Sequence, residues 1–260
     1  MRAAAGSDRD DSPTIAPVTA PPYLPLTDIE RVLVVMAHPD DVDFAAAGTI
    51  ATFTDAGMQV TYCLITDGDA GGFDSAADRS AIPAIRQDEQ RAAAKVVGVS
   101  DLIFLGYPDG RLTVTHELRR DISRVIRQVR PDLVLASAPE RNYRRLGASH
   151  PDHLVAGEAA LCAIYPDSRN PYAHPELLVA EGLAPWKVRE VWQLGSPTPN
   201  HYVDITDVAE RKIAALTCHA SQTPDMDIPQ FVRTAFAAQA AAAGFPEGRL
   251  AEAFHVFGTG

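Results

Sequence analysis

Short runs of apolar residues recur along the chain, separated by longer stretches in which apolar and polar residues follow a helical period. Residues 32–36 form the first run, which is rich in β-branched side chains and has no polar position, as is typical of a strand buried on both faces. On this pattern we predict strands at 32–36, 60–65, 101–105, 132–136, 188–194 and 202–205, and an edge strand at 253–257. The predicted helices are 49–56, 80–97, 116–129, 154–164, 207–217 and 230–243.

Strands that alternate with helices favour an α/β fold with a mainly parallel, Rossmann-like sheet flanked by helices. The 260 residues are enough to bury one core, so we expect a single domain at 26–260. Residues 1–25 lack periodicity and are rich in Ala, Ser, Asp, Thr and Pro, which predicts a flexible leader. The segment 71–77 is predicted to be a mobile loop, and the proline-rich segment 166–185 to be a substrate-facing loop.

The composition narrows the class of protein. The chain is 46% hydrophobic and 22% charged with a formal net charge of −11, and it has no cluster of Lys and Arg, which argues against nucleic acid as a partner. Cys63, Cys162 and Cys218 are far apart and form no C-x-x-C pair, so we expect reduced cysteines, with Cys63 in a strand core. No apolar run is long enough to span a membrane, and the N-terminal residues lack a secretion pattern, so a cytoplasmic location is expected.

Two His-Pro-Asp elements follow predicted strands and open predicted helices: His38-Pro39-Asp40-Asp41 and His150-Pro151-Asp152-His153. Because parallel strands place their carboxyl ends at one edge of the sheet, the two elements can share one site. Two imidazoles and a carboxylate are the ligands of many hydrolytic zinc sites, where the metal lowers the pKa of water to about 7. A carboxylate that is not a ligand can act as general base, and a spare imidazole can stabilise an oxyanion.

Each element alone is weak evidence, because His38 could be a core or capping histidine and Asp41 a helix N-cap. The occurrence of both elements at strand-to-helix turns is what favours a metal site. His219, which precedes Ser221-Gln222, is intermediate between a site residue and a structural one. The remaining histidines are predicted to be surface or structural residues: His116, His174, His201 and His255.

Further motifs accompany the two His-Pro-Asp elements. Gly48-Thr49-Ile50 follows the first element, and His219-x-Ser221-Gln222 follows the second. Between the two elements lie Thr66-Asp67-Gly68, Arg86-x-x-Glu89 and residues 104–110. Together, in this order, these motifs resemble the LmbE-like (PIG-L) family of zinc-dependent N-deacetylases. The resemblance covers residues 31–257 and implies a Rossmann-like fold that removes acyl groups from N-acylated amino sugars and related small glycosides.

The resemblance implies that His38, Asp41 and His153 bind Zn²⁺. It also implies that Asp40 is the general base and that His150 steadies the tetrahedral oxyanion. By the same resemblance, the substrate-binding positions are Arg86 and Asp109, although an Arg86–Glu89 helix pair without a catalytic role is the alternative.

One departure from the family pattern leaves the substrate open. Many members carry Glu directly after the two aspartates and then a Gly-rich turn, whereas this chain has Val42 and Ala45-Ala46-Ala47. The metal ligands are intact, but the pocket wall beside them differs.

The main interpretation is therefore a Zn²⁺-dependent amidase whose partner is a small-molecule N-acetyl amino sugar or glycoside, with a homo-oligomer left open. An amidase acting on a thiol conjugate or glycopeptide keeps the same site. A non-catalytic Rossmann nucleotide-binding module would need G-x-G-x-x-G after the first strand, where this chain has His-Pro-Asp-Asp. A metal-storage or inactive binding protein would have no use for the non-ligand Asp40.

Overall fold

The computed structural model describes residues 26–72 and 78–260, and within them the strands form one sheet. The strands are β1 Arg31–Met36, β2 Gln59–Thr66, β3 Asp101–Tyr107, β4 Leu133–Ser137, β5 Glu190–Leu194, β6 His201–Asp204 and β7 Ala251–Gly258. The helices are α1 Asp41–Asp55, α2 Ile82–Val96, α3 His116–Val129, α4 Pro151–Ile164, α5 Pro175–Val179, α6 Ala209–Thr217 and α7 Ile228–Ala242. Short 3₁₀ segments occur at Leu26–Asp28, Leu146–Ser149, Asp167–Arg169 and Thr206–Val208.

The strand order is β3-β2-β1-β4-β5-β7-β6, with β1 to β5 parallel and β7 antiparallel to both of its neighbours. The predicted fold class, an α/β fold with a mainly parallel sheet, is confirmed. The prediction that 253–257 is an edge strand is wrong, because β7 lies between β5 and β6 and leaves β6 at the edge. Two partner strands satisfy both sides of its backbone, and the apolar pattern of a strand carries no information about which neighbours it has.

Helices cover both faces of the sheet, which explains the uninterrupted apolar run in β1. Val34 and Met36 face a core shared with α1 and α2, whereas Leu33 and Val35 face a core shared with α3 and α4. Cys63 is fully buried in the second core, as expected.

The first helix is longer than predicted, since α1 begins at Asp41 rather than at residue 49. The small residues before position 49 continue the helix and allow close packing. At Gly48 a Cβ atom would lie 2.7 Å from Cβ of Ile205, so the absent side chain lets the 3₁₀ segment Thr206–Val208 approach α1.

The segment 166–185 is not an open loop. It contains a 3₁₀ segment and α5 and packs along α3, whose buried Arg127 donates to the carbonyl oxygens of Asp167, Ser168 and Asn170. The segment is therefore more regular than the predicted loop, and its contact with a substrate stays a prediction. The predicted leader at 1–25 and most of the predicted mobile loop at 71–77 lie outside the described residues. Among the helices that are described, none has the length and apolar character needed to cross a bilayer.

Candidate active site

The carboxyl ends of β1 and β4 lie side by side, and the segments after them carry the two His-Pro-Asp elements. The helix that follows β1 packs on one face of the sheet, and the helix that follows β4 packs on the other. The chain therefore diverges between these two strands, which is where open α/β sheets form their ligand crevice. This topology brings His38 and His153 into contact although they are 115 positions apart.

Three predicted metal ligands converge in this crevice. Nδ1 of His38 lies 3.3 Å from Nε2 of His153 and 3.4 Å from Oδ2 of Asp41. Oδ1 of Asp41 lies 2.9 Å from Nε2 of His153. Ligand atoms bound at about 2.0–2.1 Å to a tetrahedral Zn²⁺ are separated by about 3.3 Å, so the spacing of these donors fits a small divalent cation.

The other ring nitrogen of His38 faces two further carboxylates. Nε2 of His38 lies 2.9 Å from Oδ1 of Asp109 and 3.5 Å from Oδ2 of Asp152. Asp152 is itself fixed by the backbone N–H groups of Gly110 and Leu112, which donate to its oxygens at 2.7 and 3.3 Å. A carboxylate behind the second ring nitrogen is the usual support of a metal-binding histidine. Among the described residues, two groups of three side chains have ligand atoms close enough to hold an ion: His38 with His150 and His153, and His38 with Asp109 and Asp152.

The carboxylates give the crevice a negative potential. Burial acts to lower the pKa of His38, but Asp41 and Asp109 outweigh it and raise the pKa to about 10. Burial acts to raise the pKa of Asp41, but the imidazoles of His153 and His38 hold it well below its usual value. Protons on the imidazoles thus balance the carboxylate charge here, and a divalent cation would take the place of those protons.

Asp40 lies beside the ligands in an unusual backbone conformation. Its φ of 90° is in the left-handed region, which non-glycine residues adopt at a cost. Its carboxylate lies 3.0 Å from Nη2 of Arg86, and its side chain is 15% exposed. Burial and the neighbouring Asp41 raise the pKa of Asp40 to about 7, against the opposing effect of Arg86. A carboxyl group that titrates near neutrality is suited to general-base work.

The guanidinium of Arg86 is buried under the loop that follows β2. It donates to the carbonyl oxygens of Pro39 and Gly68 as well as to Asp40. A Cβ atom at Gly68 or Gly71 would lie 2.3 or 2.4 Å from Nη1 of Arg86, so glycine allows the loop to cover this group. The Arg86–Glu89 helix pair considered from the sequence is not formed, because Glu89 accepts instead from the backbone N–H and the hydroxyl of Ser221.

His150 is the N-cap of α4, and its Nδ1 accepts the backbone N–H of Asp152 at 3.3 Å. Its ring centroid lies 5.1 Å from that of His38 and 5.4 Å from that of His153. Burial, and then the two neighbouring imidazoles, lower the pKa of His150. The neutral ring therefore carries its hydrogen on Nε2, which leaves one donor free to face a substrate.

Sequence reasoning gave no role to Asp43 or Gln90 and left His219 undecided. All three are fully buried. Gln90 accepts from the backbone N–H of Asp40 and donates to Asp43, which also pairs with His219. The signal in the sequence is faint: Asp43 is a charged residue among the small and apolar side chains of α1. His116, His174, His201 and His255 make their ring or hydrogen-bond contacts away from the crevice.

Both His-Pro-Asp elements fall inside the match to a family profile. The profile described as PIG-L: GlcNAc-PI de-N-acetylase matches residues 33–164, half of the chain. The chain belongs to the PIG-L (LmbE-like) family. Its class follows from that membership: it is an N-deacetylase, a hydrolase of amide C–N bonds.

Individual family members are similar over most of the chain. The diacetylchitobiose deacetylase of Thermococcus kodakarensis is 34% identical over 201 residues, which are 77% of this chain and 73% of that protein. A probable N-acetyl-alpha-D-glucosaminyl L-malate deacetylase 2 of Bacillus cereus is 36% identical over 201 residues, 75% of this chain and 85% of the other. The solved N,N'-diacetylchitobiose deacetylase from Pyrococcus horikoshii has a TM-score of 0.81 at 33% identity and covers 90% of this chain and 85% of its own.

Proposed function

We propose that this protein is a Zn²⁺-dependent deacetylase that hydrolyses the acetamide of an N-acetylated amino sugar, such as an N-acetylglucosamine glycoside. The products are acetate and the free amine. The observation that carries the proposal is the convergence of the ligand atoms of His38, Asp41 and His153, with the near-neutral carboxyl of Asp40 next to them. The deacetylase relatives, whose names specify N-acetylglucosamine compounds, support the substrate class.

In this proposal His38, Asp41 and His153 hold the cation. Bound Zn²⁺ supplies Lewis acidity, which polarises a carbonyl and makes water more acidic. Asp109 and Asp152 lie 2.9 and 3.5 Å from Nε2 of His38, where their negative charge would stabilise the ring with Nδ1 on the side of Asp41 and His153. This assigns Asp109 to ligand support instead of the substrate contact expected from the sequence.

Asp40 removes the proton from the attacking water and returns it to the leaving amine. Arg86 keeps the carboxyl in its basic, ionised form and fixes its position. His150 donates from Nε2 to the oxygen of the tetrahedral intermediate as negative charge develops on it. We assign Arg86 to Asp40 rather than to the substrate, because its side chain is 4% exposed and its Nη2 lies 3.0 Å from Oδ2 of Asp40. The cytoplasmic location and the oligomeric state stay predictions.

The experiment is an amine-release assay on a panel of N-acetyl amino sugars, chitobiose-type disaccharides, thiol conjugates and glycopeptides, with metal content measured on the same samples. We expect activity on the sugars, loss with a chelator, and recovery with Zn²⁺. Asp40→Asn should retain its metal while kcat falls by about 10²–10⁴-fold. Full activity in the metal-free protein, or an Asp40→Asn variant as active as wild type, would contradict the proposal.

A further inference from the structure

A chain of buried hydrogen bonds leads from the interior of the protein to the backbone of Asp40. The N–H of Asp40 donates to Oε1 of Gln90 at 2.8 Å. Nε2 of Gln90 donates to Oδ2 of Asp43 at 2.8 Å, and the same oxygen lies 2.9 Å from Nε2 of His219. The side chains of Gln90, Asp43 and His219 have no exposed surface. Three separate segments therefore meet at this one polar contact: α1, α2 and the turn after α6.

The chemistry of these side chains determines which group donates and which accepts in each of the hydrogen bonds. A carboxylate only accepts hydrogen bonds, so Asp43 requires a donor from Gln90 and another from His219. The amide of Gln90 must then present its NH₂ group to Asp43, which turns its oxygen toward Asp40. Asp43 thus selects one of the two amide orientations, and the selected orientation is the one that accepts the N–H of Asp40.

The contact matters because Asp40 needs support in its present conformation. It precedes α1 with a φ of 90° and has no side-chain capping hydrogen bond, so its own carboxylate is free to face the crevice. Arg86 holds that carboxylate, but its bonds do not fix the peptide N–H. Gln90 supplies the partner that this N–H would otherwise lack in a buried setting.

We infer that Gln90 is a positioning residue for Asp40, oriented by the Asp43–His219 pair, and this inference rests on the proposed role of Asp40 as general base. Gln90 holds the backbone of Asp40 in the left-handed conformation, and this conformation aims the carboxylate at the reacting water. Gln90 itself touches neither the substrate nor the cation.

The first test is Gln90→Leu, which keeps the size of the side chain but removes the acceptor. We expect a fall in kcat of about 10–100-fold, since a displacement of about 1 Å in a catalytic group costs that order of rate. KM should change by less than about threefold and the metal content should stay at the wild-type level, because none of the proposed metal ligands belongs to this series of hydrogen bonds. Ser123→Ala is the control: it removes a fully buried hydroxyl on α3 that bonds to no described residue, and kcat should not change.

The second test exchanges the two chemical groups. Gln90→Glu alone places a second carboxylate 2.8 Å from Asp43. Asp43→Asn alone should stay near wild type, because its amide oxygen can accept from both Gln90 and His219 in place of Oδ2. In the double variant Gln90→Glu with Asp43→Asn, Glu at 90 accepts from the N–H of Asp40, and Asn at 43 donates to Glu and to Nε2 of neutral His219. We therefore expect the double variant to recover kcat to within about fivefold of wild type on the alkaline plateau of the pH profile, while Gln90→Glu alone remains impaired.

The outcomes separate this inference from the proposed function. A Gln90→Leu protein that is folded and metal-loaded with normal kcat overturns the inference, as does one that changes only KM or thermal stability. A folded, metal-loaded double variant no better than Gln90→Glu alone also overturns it, and this test stands even where Gln90→Leu does not fold. Asp40→Asn is assayed alongside: if it is fully active, the proposed function fails, whereas if it is inactive and Gln90→Leu is normal, only this inference fails.

Discussion

Replacing Arg86 by Met tests whether this residue tunes the general base or binds the substrate. Nη2 of Arg86 lies 3.0 Å from Oδ2 of Asp40, and the two side chains are 4% and 15% exposed. A cation in such contact lowers the pKa of a carboxyl group by about 1–3. Burial and Asp41 raise the pKa of Asp40, and Arg86 opposes them. Without Arg86 the pKa of Asp40 must therefore rise further above its ordinary value.

The sign of the effect on rate follows from the proposed role of Asp40 as general base. A general base works in its ionised form, so activity is lost as the pH falls through its pKa. The pKa of Asp40 without a bound cation is about 7, and the bound cation lowers it, which places the acid limb of wild type below pH 7. Arg86→Met should move this limb upward by about 1–3 pH units. On the alkaline plateau the rate should largely recover.

The assay is kcat and kcat/KM against pH for wild type, Arg86→Met and a matched control, Arg91→Met. Arg91 is on the same helix, but its side chain is 51% exposed and pairs with Asp88, so its profile should match wild type. A uniform loss of rate at every pH with a raised KM would refute the reasoning. That result would restore the substrate-binding role expected from the sequence.

Three further predictions concern the metal ligand, the oxyanion donor and the packing beneath them. His153→Ala should lose most of its bound metal by elemental analysis, and a full equivalent of retained Zn²⁺ would remove His153 from the ligand set. His150→Ala should keep its metal and lose about 10²–10³-fold in kcat. Because the pKa of His150 is lowered, this loss should be equal at all pH values above 7. A loss that varied with pH in that range would contradict the assignment of neutral His150 as the hydrogen-bond donor. Gly157→Ala should lower the free energy of unfolding by about 1–3 kcal/mol and weaken metal binding, since its Cβ would lie 2.2 Å from the carbonyl oxygen of Ser137. The control is Gly147→Ala, whose Cβ meets no atom within 4 Å and whose melting temperature should equal that of wild type. Equal melting temperatures for the two variants would disprove the close approach of α4 to β4.

Much of the fold follows from the sequence alone, because the local pattern of apolar and polar residues predicts the strands and helices. The five residues 32–36 are uniformly apolar, and a strand covered by helices on both faces is the structure that buries all of them. The His-Pro-Asp elements are also local, so their positions at strand-to-helix turns were predictable. The shared site of His38 and His153 followed from one general rule, that parallel strands end at a common edge.

The tertiary structure decided the features that depend on which segments become neighbours. The position of β7 inside the sheet required two particular partner strands. Arg86 bonds to Asp40, and Glu89 to Ser221, instead of to each other, because long-range contacts compete with helical spacing and here supply more hydrogen bonds.

Sequence reasoning could not predict the hydrogen bonds that hold Asp40 in place, because these too join distant segments. Gln90 reaches Asp40 across 50 positions, and His219 reaches Asp43 across 176. A hydrogen bond has a direction and a short range, so such pairings exist only once helices and strands are packed to within a fraction of an ångström. The sequence alone thus determined which groups could perform the chemistry, and the packing of distant segments decided how those groups are aimed.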